Sequence, residues 1–367
     1  MNKQEKVNPV RNKKSKTSVI SNGIKISFLG FGAFNCAIAY YLTEKFSKDD
    51  NYNFFFWDID ENIYNNFSKN RKHPYHFQDI KFNDKIQGYQ NKEDLIKDAD
   101  VVIVGINAQD VNKALEGIDS LINKNTIFVI VSKGIDNQTN ELLSSIIQKN
   151  IKNSNFENPI AVFSGGTIAS DIINKIPLIA EIACQNNVCT ELVADLFHSD
   201  VLRIYTNNDV LSVEIAGALK NFISIGAGIC EGLGFPIGTK SSFITRAVFD
   251  VYKIAKKMGA SDTTFLPGSA SFWGDIMLSC FGDTRNKEFG KRICTDNKTP
   301  LEIVEDMRKE HKTVEGYYTI KAAYEIAKEN KIEAHTIDFI YQIVYENADP
   351  LEAYNKMMSR DIKKLGI

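Results

Sequence analysis

Lys220 closes the run Glu214-Ile215-Ala216-Gly217-Ala218-Leu219-Lys220-Asn221. Leu, Ile and Ala read as core helix. Gly217 and Ala218 add little bulk, so another element can approach that face closely. An ammonium beside a partly closed pocket is a proton donor whose hold on its proton weakens as solvent is removed. The plain alternative is a helix lysine whose stem packs on apolar surface while its charge reaches water.

A second chemical signal lies near the start of the chain. In Gly30-Phe31-Gly32-Ala33-Phe34-Asn35, the first glycine permits a tight turn after a strand. The second lets backbone approach a pyrophosphate, which a following helix N-terminus stabilises. The third position of this pattern is usually Gly or Ala, for close helix–strand packing, and Asn35 departs from it. Asn35 predicts a slightly displaced helix. Asp58 follows the next strand-like run, where an acid hydrogen-bonds the ribose 2′-hydroxyl and repels a 2′-phosphate. No arginine stands in Asp58-Ile59-Asp60-Glu61, so NAD is expected over NADP. On spacing alone, Asp58 reads equally as a strand-end turn former.

The elements that must position these groups follow from hydrophobic patterning. Ile24–Leu29 reads as a strand, and Cys36–Phe46 as a helix. Residues 53–57, 99–105, 126–131 and 159–163 read as buried strands. Near-continuous apolar strands separated by helix-length segments indicate a parallel doubly wound sheet. From about 209 onward long amphipathic helices dominate, with Gly-, Pro- and Ser-rich breaks near 232–242 and 267–274. An α/β domain over 23–205 and an all-helical domain over 206–367 are expected.

Composition narrows the function classes. The 367 residues are 43% hydrophobic and 25% charged, with a formal net charge of -2. That balance gives no bias toward nucleic acid. No apolar run long enough to span a membrane is read. Six cysteines without C-x-x-C or zinc spacing suggest thiols in a reducing compartment. The five histidines are dispersed; no metal site is expected, and His198 and His335 read as structural or surface residues. Residues 1–22 carry six Lys or Arg against Glu5 and no apolar stretch. They read as a basic disordered arm, with an organelle transit segment as the alternative.

Three further blocks stand out: Tyr205–Val210, Val213–Asn221 and Ala227–Phe235. Val131-Ser132-Lys133-Gly134-Ile135, Gly274-Asp275 with Ser279-Cys280 and Arg285-Asn286, Val314-Glu315-Gly316, and Ile340–Asn347 add to them. With these blocks the chain resembles the NAD-dependent glycerol-3-phosphate dehydrogenase family from about Ile24 to about Arg360. The resemblance implies an α/β Rossmann-type doubly wound domain followed by an all-α C-terminal domain. It implies a cytoplasmic homodimer without a membrane span that interconverts dihydroxyacetone phosphate and sn-glycerol 3-phosphate, a phospholipid precursor, with NAD. Lys220 then resembles the proton donor and acceptor at the C2 oxygen, Lys133 a lysine that polarises the carbonyl and contacts substrate and cofactor, and Asp275 the acid that orients them. Asn221, Ser279, Arg285 and Asn286 resemble substrate contacts, with Arg285 also near the cofactor. Ala169 and Glu315 resemble cofactor contacts, as do residues 30–35.

The chain departs from the family pattern at four places. Asn35 replaces the third glycine. Gly166 stands where a proline follows Ser-Gly, and Ile106-Asn107 stands where Val-Pro is usual. The segment 266–273 before Gly274-Asp275 is longer and bulkier than usual, which leaves room for an altered substrate.

Overall fold

The structure, a computed structural model, describes residues 23–123, 125–151 and 159–362. The basic arm over 1–22 lies outside them. Eight strands form one sheet: β1 (Ile24–Leu29), β2 (Tyr52–Trp57), β3 (Ile86–Gly88), β4 (Val101–Val104), β5 (Ile127–Ile130), β6 (Ile160–Ser164), β7 (Leu178–Cys184) and β8 (Leu202–Asn207). Their order is β3-β2-β1-β4-β5-β6-β7-β8. The central strands are parallel, with Ile26 opposite both Phe54 and Val101. Val101, Ile103 and Val129 point into one core layer, and Val102, Val104, Phe128 and Ile130 into the other. Helices cover both faces, which is why β4 and β5 are apolar throughout.

The sheet departs from all-parallel expectation at one place. β7 runs antiparallel to β6, with Phe163 opposite Ile182, and then pairs parallel with β8. β8 extends to Asn207, and the helix Val210–Gly232 begins three residues later, capped by Asp209 through the Ser212 N–H at 3.0 Å.

That helix is the axis of the C-terminal half. It is long and apolar enough to cross a membrane, contrary to the sequence expectation, yet 89% of its most apolar window is buried inside the protein. It is a core helix, wrapped by Ile237–Lys257, Asp275–Phe281, Arg285–Thr295 and Glu315–Glu329. The Arg285–Thr295 helix packs unusually closely. A Cβ at Gly228 would fall 2.1 Å from the Lys287 carbonyl, and one at Gly290 would fall 2.0 Å from the Ile225 carbonyl. These two glycines let two helix backbones touch and fix where Arg285 starts.

Candidate active site

Lys220 projects from the Val210–Gly232 helix, with its side chain only 11% exposed. Its ammonium lies 2.9 Å from Asp275 Oδ1 and donates to Ser279 Oγ at 2.5 Å. Lys133, just beyond β5, donates to Asp275 Oδ2 and to the Gly165 carbonyl at 3.1 Å. Asp275, 1% exposed, therefore bridges two lysines that come from different halves of the chain. Ser279 is four residues on, one helical turn away, and donates to Asp275 Oδ1 at 3.3 Å. The bulk-free face seen in the sequence has its partner here. A Cβ at Gly217 would lie 3.0 Å from Ser164 Oγ and 3.7 Å from the Lys133 stem.

The electrostatics follow from that packing. Burial lowers the Lys133 ammonium pKa; Asp275 partly restores it, and Lys220 lowers it again. Burial alone would raise the Asp275 carboxyl, but the two ammoniums override it and hold it below the ordinary carboxylate range. The site pairs two lysines with one aspartate at low solvent exposure. It is suited to protonating or stabilising an oxyanion.

The long 266–273 segment folds as a π-helical turn, Ala270–Gly274, closed by Gly274 N–H to the Ser269 carbonyl at 3.1 Å. It delivers Asp275 as the first residue of the helix Asp275–Phe281. Gly166 makes room for it: a Cβ there would sit 2.7 Å from the Gly274 carbonyl. Gly166 thus lets the end of the turn, at Gly274, pack directly against the backbone that follows β6. Sequence reasoning missed the residue that holds the turn, Glu181 of β7. Its signal was present, since a carboxylate inside an apolar strand must be satisfied.

Arg285, the first residue of its helix, has protein crowded around it yet reaches solvent. Crowding lowers its pKa and Glu315 partly restores it. Glu315, raised to about 7 by burial against the pull of Arg285, leaves its buried Oε2 without a partner. Asn286 and Asn221 are committed to each other: Asn286 Nδ2 donates to Asn221 Oδ1 at 3.0 Å, and Asn286 Oδ1 accepts from Gly316 N–H at 3.0 Å. They join three helices at the cleft, a role the sequence did not suggest.

At the glycine turn, Gly30 has φ +85 and Gly32 N-caps the helix Ala33–Lys45 with no side-chain cap. A Cβ on Gly32 would meet nothing within 4 Å. Open space therefore faces uncapped N–H groups, which fits a pyrophosphate. Asp58 accepts from Phe31 N–H at 2.7 Å and Asp60 N–H at 3.0 Å. Burial raises its pKa while these donors pull it down. The turn thus faces open space with its backbone at Gly32, but two of the 30–35 side chains turn into the core. Phe31 stacks on Phe56 at 4.0 Å in the core. Asn35, 1% exposed, donates to the Gly30 carbonyl at 2.7 Å. A Cβ on Gly105 would lie 2.3 Å from Asn35 Cγ. The room for Asn35 comes from Gly105, where the sequence reading expected a shifted helix. Asn107, in the place of the usual proline, caps the next turn through the Gln109 N–H at 3.1 Å. Phe34 is half-buried near Phe163. Ala169 opens the short helix Ala169–Ile173, packed on Ala33–Lys45.

His73 is another residue the sequence reading passed over. Its Nδ1 faces the N–H groups of Tyr75 and His76, so Nε2 carries the proton toward the Phe31 carbonyl at 2.9 Å. Burial lowers its pKa to about 4, which keeps the imidazole neutral against the glycine turn. Among the described residues, no cluster of three or more His, Cys, Asp or Glu is placed to hold a metal ion.

Known proteins resemble this chain over most of its length. The family described as NAD-dependent glycerol-3-phosphate dehydrogenase matches in two parts, its N-terminus over residues 25–190 and its C-terminus over 209–355. A protein from Clostridium perfringens named glycerol-3-phosphate dehydrogenase [NAD(P)+] is 31% identical over 343 residues, covering 93% of this chain and 98% of that protein. A Leptospira biflexa protein of the same name is 29% identical over 345 residues, covering 94% and 100%. The crystal structure of glycerol-3-phosphate dehydrogenase from Coxiella burnetii superposes with a TM-score of 0.83 at 20% identity, covering 92% of this chain and 99% of that one. The Plasmodium falciparum enzyme gives 0.83 at 23%, covering 94% and 97%. At those identities the solved structures speak to the fold.

Proposed function

The chain belongs to the NAD-dependent glycerol-3-phosphate dehydrogenase family and is an NAD-dependent oxidoreductase interconverting dihydroxyacetone phosphate and sn-glycerol 3-phosphate; on that premise we propose that Lys220 exchanges the proton of the C2 oxygen. The observation that carries the proposal is the bridge Lys133–Asp275–Lys220, buried where the two halves of the chain meet.

The backbone of residues 30–35 would hold the cofactor's pyrophosphate, and Asp58, Lys133, Ala169, Arg285 and Glu315 are the side chains that would contact the rest of it. When bound, NADH supplies the hydride. In the reducing direction the C2 oxygen gains negative charge. Lys220 gives it a proton, and Lys133 stabilises the charge before transfer completes. Asp275 keeps both ammoniums oriented and limits their mutual repulsion. Ser279 accepts from Lys220 and donates to the same Asp275 oxygen, so it helps hold that ion pair together. Arg285 supplies a planar fork for the substrate phosphate. Asn221 and Asn286 fix the helix start that carries it. Glycerol 3-phosphate oxidation reverses the proton path.

We also take the enzyme to be a cytoplasmic homodimer. Its six thiols support the location. The dimer is carried over from the family resemblance, and light scattering on the purified protein checks it. The decisive test of function is NADH oxidation by purified protein given dihydroxyacetone phosphate, with other phosphorylated hydroxy- and keto-compounds in the same panel. Rapid turnover on dihydroxyacetone phosphate is expected. A stronger preference for another member would reassign the substrate.

A further inference from the structure

β7 reads Leu178-Ile179-Ala180-Glu181-Ile182-Ala183-Cys184, and Glu181 at its centre is 6% exposed. A carboxylate persists in such a place only if donors surround it. Glu181 Oε1 accepts from Ser269 Oγ at 2.9 Å, Ala270 N–H at 2.7 Å and Ser271 N–H at 3.1 Å. Oε2 accepts from Ser271 Oγ at 2.9 Å and Asn207 Nδ2 at 3.4 Å. Four of these five donors belong to three consecutive residues. Those residues open the π-helical turn whose next residue is Asp275.

The far side of the turn is packed into the helical core. Phe272 is fully buried, with its ring 4.7 Å from Phe265, and Trp273 Nε1 donates to the Phe265 carbonyl at 3.0 Å. Gly274 lies against Gly166, beside the carbonyl that receives Lys133. Asp275 must meet two ammoniums at once, one from the sheet half and one from the central helix. A shift of about 1 Å at such a group is enough to cost orders of magnitude in rate.

We propose that Glu181 is a positioning residue for the reaction: it fastens the Ser269–Ser271 turn to the sheet and so sets Asp275 between Lys133 and Lys220. The proposal rests on the assignment of those three residues as the proton-transfer centre. It also gives the enlarged 266–273 segment a role. The π-helical turn reaches far enough toward β7 to be gripped by Glu181, and Gly166 clears its path. Glu181 steadies the lysine pair through Asp275 and touches no reacting atom.

The test uses the full-length protein with Glu181→Gln and Ser271→Ala. The assays are kcat and KM with NADH and dihydroxyacetone phosphate across pH. They are paired with the pH dependence of Lys133 acylation by a small reagent, followed on its peptide by mass spectrometry. For Glu181→Gln, kcat should fall ~10- to 100-fold with KM for NADH unchanged. Asp275 raises the Lys133 pKa against burial, so loosening Asp275 should let Lys133 lose its proton at lower pH. The alkaline limb of kcat should move the same way. Ser271→Ala should show both effects in smaller measure. Loss of thermal stability with wild-type kcat and wild-type Lys133 titration would overturn the proposal, because a purely structural anchor would do that. If Glu181→Gln does not fold, Ser271→Ala decides by the same two readouts. Wild-type protein inert toward dihydroxyacetone phosphate would sink the assigned reaction instead, and the Lys133 titration would still decide the role of Glu181.

Discussion

At the glycine turn the cleft wall is backbone: Gly32 presents open space and uncapped N–H groups, and the nearby Phe31 and Asn35 side chains point into the core. At the lysine centre the wall is charge, with three ionised side chains held within hydrogen-bonding reach by residues far apart in the chain. The first arrangement binds an anion through dipoles that need no counter-charge. The second stores electrostatic energy and needs an exact partner for each charge. Replacements at the turn should therefore act on packing and affinity, and replacements at the centre on rate.

The largest effect should come from Lys220. Lys220→Ala removes the proton donor and should lower kcat by ~10²–10⁴-fold. Alanine suits the same helix, and the turn is untouched, so the protein should fold and bind NADH. Lys220→Arg should not restore turnover, because a guanidinium does not give up its proton. Folded Lys220→Ala enzyme working near the wild-type rate would erase the proposed division between the two regions.

Arg285 sharpens the comparison from the side of the centre. Arg285→Lys keeps the charge and loses the fork. Charge-assisted hydrogen bonds contribute about 1.5–3 kcal/mol, so KM for dihydroxyacetone phosphate should rise ~10- to 100-fold. Steady-state kinetics with each substrate varied in turn checks it. If KM for NADH rises and that for dihydroxyacetone phosphate does not, Arg285 serves the cofactor alone.

The same contrast explains what the sequence could reveal. The turn is local: Gly30, Gly32, the preceding strand and Asp58 lie within one βαβ unit, and their spacing carries the chemistry. The lysine centre is not local. Lys133, Lys220 and Asp275 share no spacing rule, so only the family resemblance pointed to them as a group. β3 spans three residues, too few for a periodic signal. The reversal of β7 depends on pairing with β6 and β8, which no local pattern encodes. The length of the 266–273 segment was visible. Its π-helical form and its anchor in Glu181 were not, because the anchor lies on a strand far away in sequence.

Cofactor choice is a smaller effect and belongs to the turn. Asp58 stands just after β2, tied to the turn through the Phe31 N–H, and Asp58-Ile59-Asp60-Glu61 contains no arginine. Two like unit charges ~4 Å apart repel by ~4 kcal/mol at an effective dielectric of about 20. Solvent and salt reduce that near an open cleft. NADH should exceed NADPH in kcat/KM by about tenfold or more. Equal or better use of NADPH would mean that Asp58 serves only to pin the turn.

The smallest effect tests whether Asn35 is packing or chemistry. Its amide occupies the space that Gly105 leaves empty, and it donates to the Gly30 carbonyl. Gly105→Ala would drive a methyl into that amide, and overpacking of this kind costs ~1–3 kcal/mol. Asn35→Ala alone should cost about 1 kcal/mol for the lost hydrogen bond. In the Asn35→Ala background the Gly105 methyl has room, so the double variant should be more stable than the sum of the two losses predicts. Urea denaturation of the four proteins gives the coupling directly, and ~0.5–3 kcal/mol is the range expected for residues in contact. Simple additivity would mean that the two positions do not share this space. A fall in kcat with Asn35→Ala as deep as that with Lys220→Ala would place the amide in the chemistry, and the line drawn between backbone turn and charged centre would then be in the wrong place.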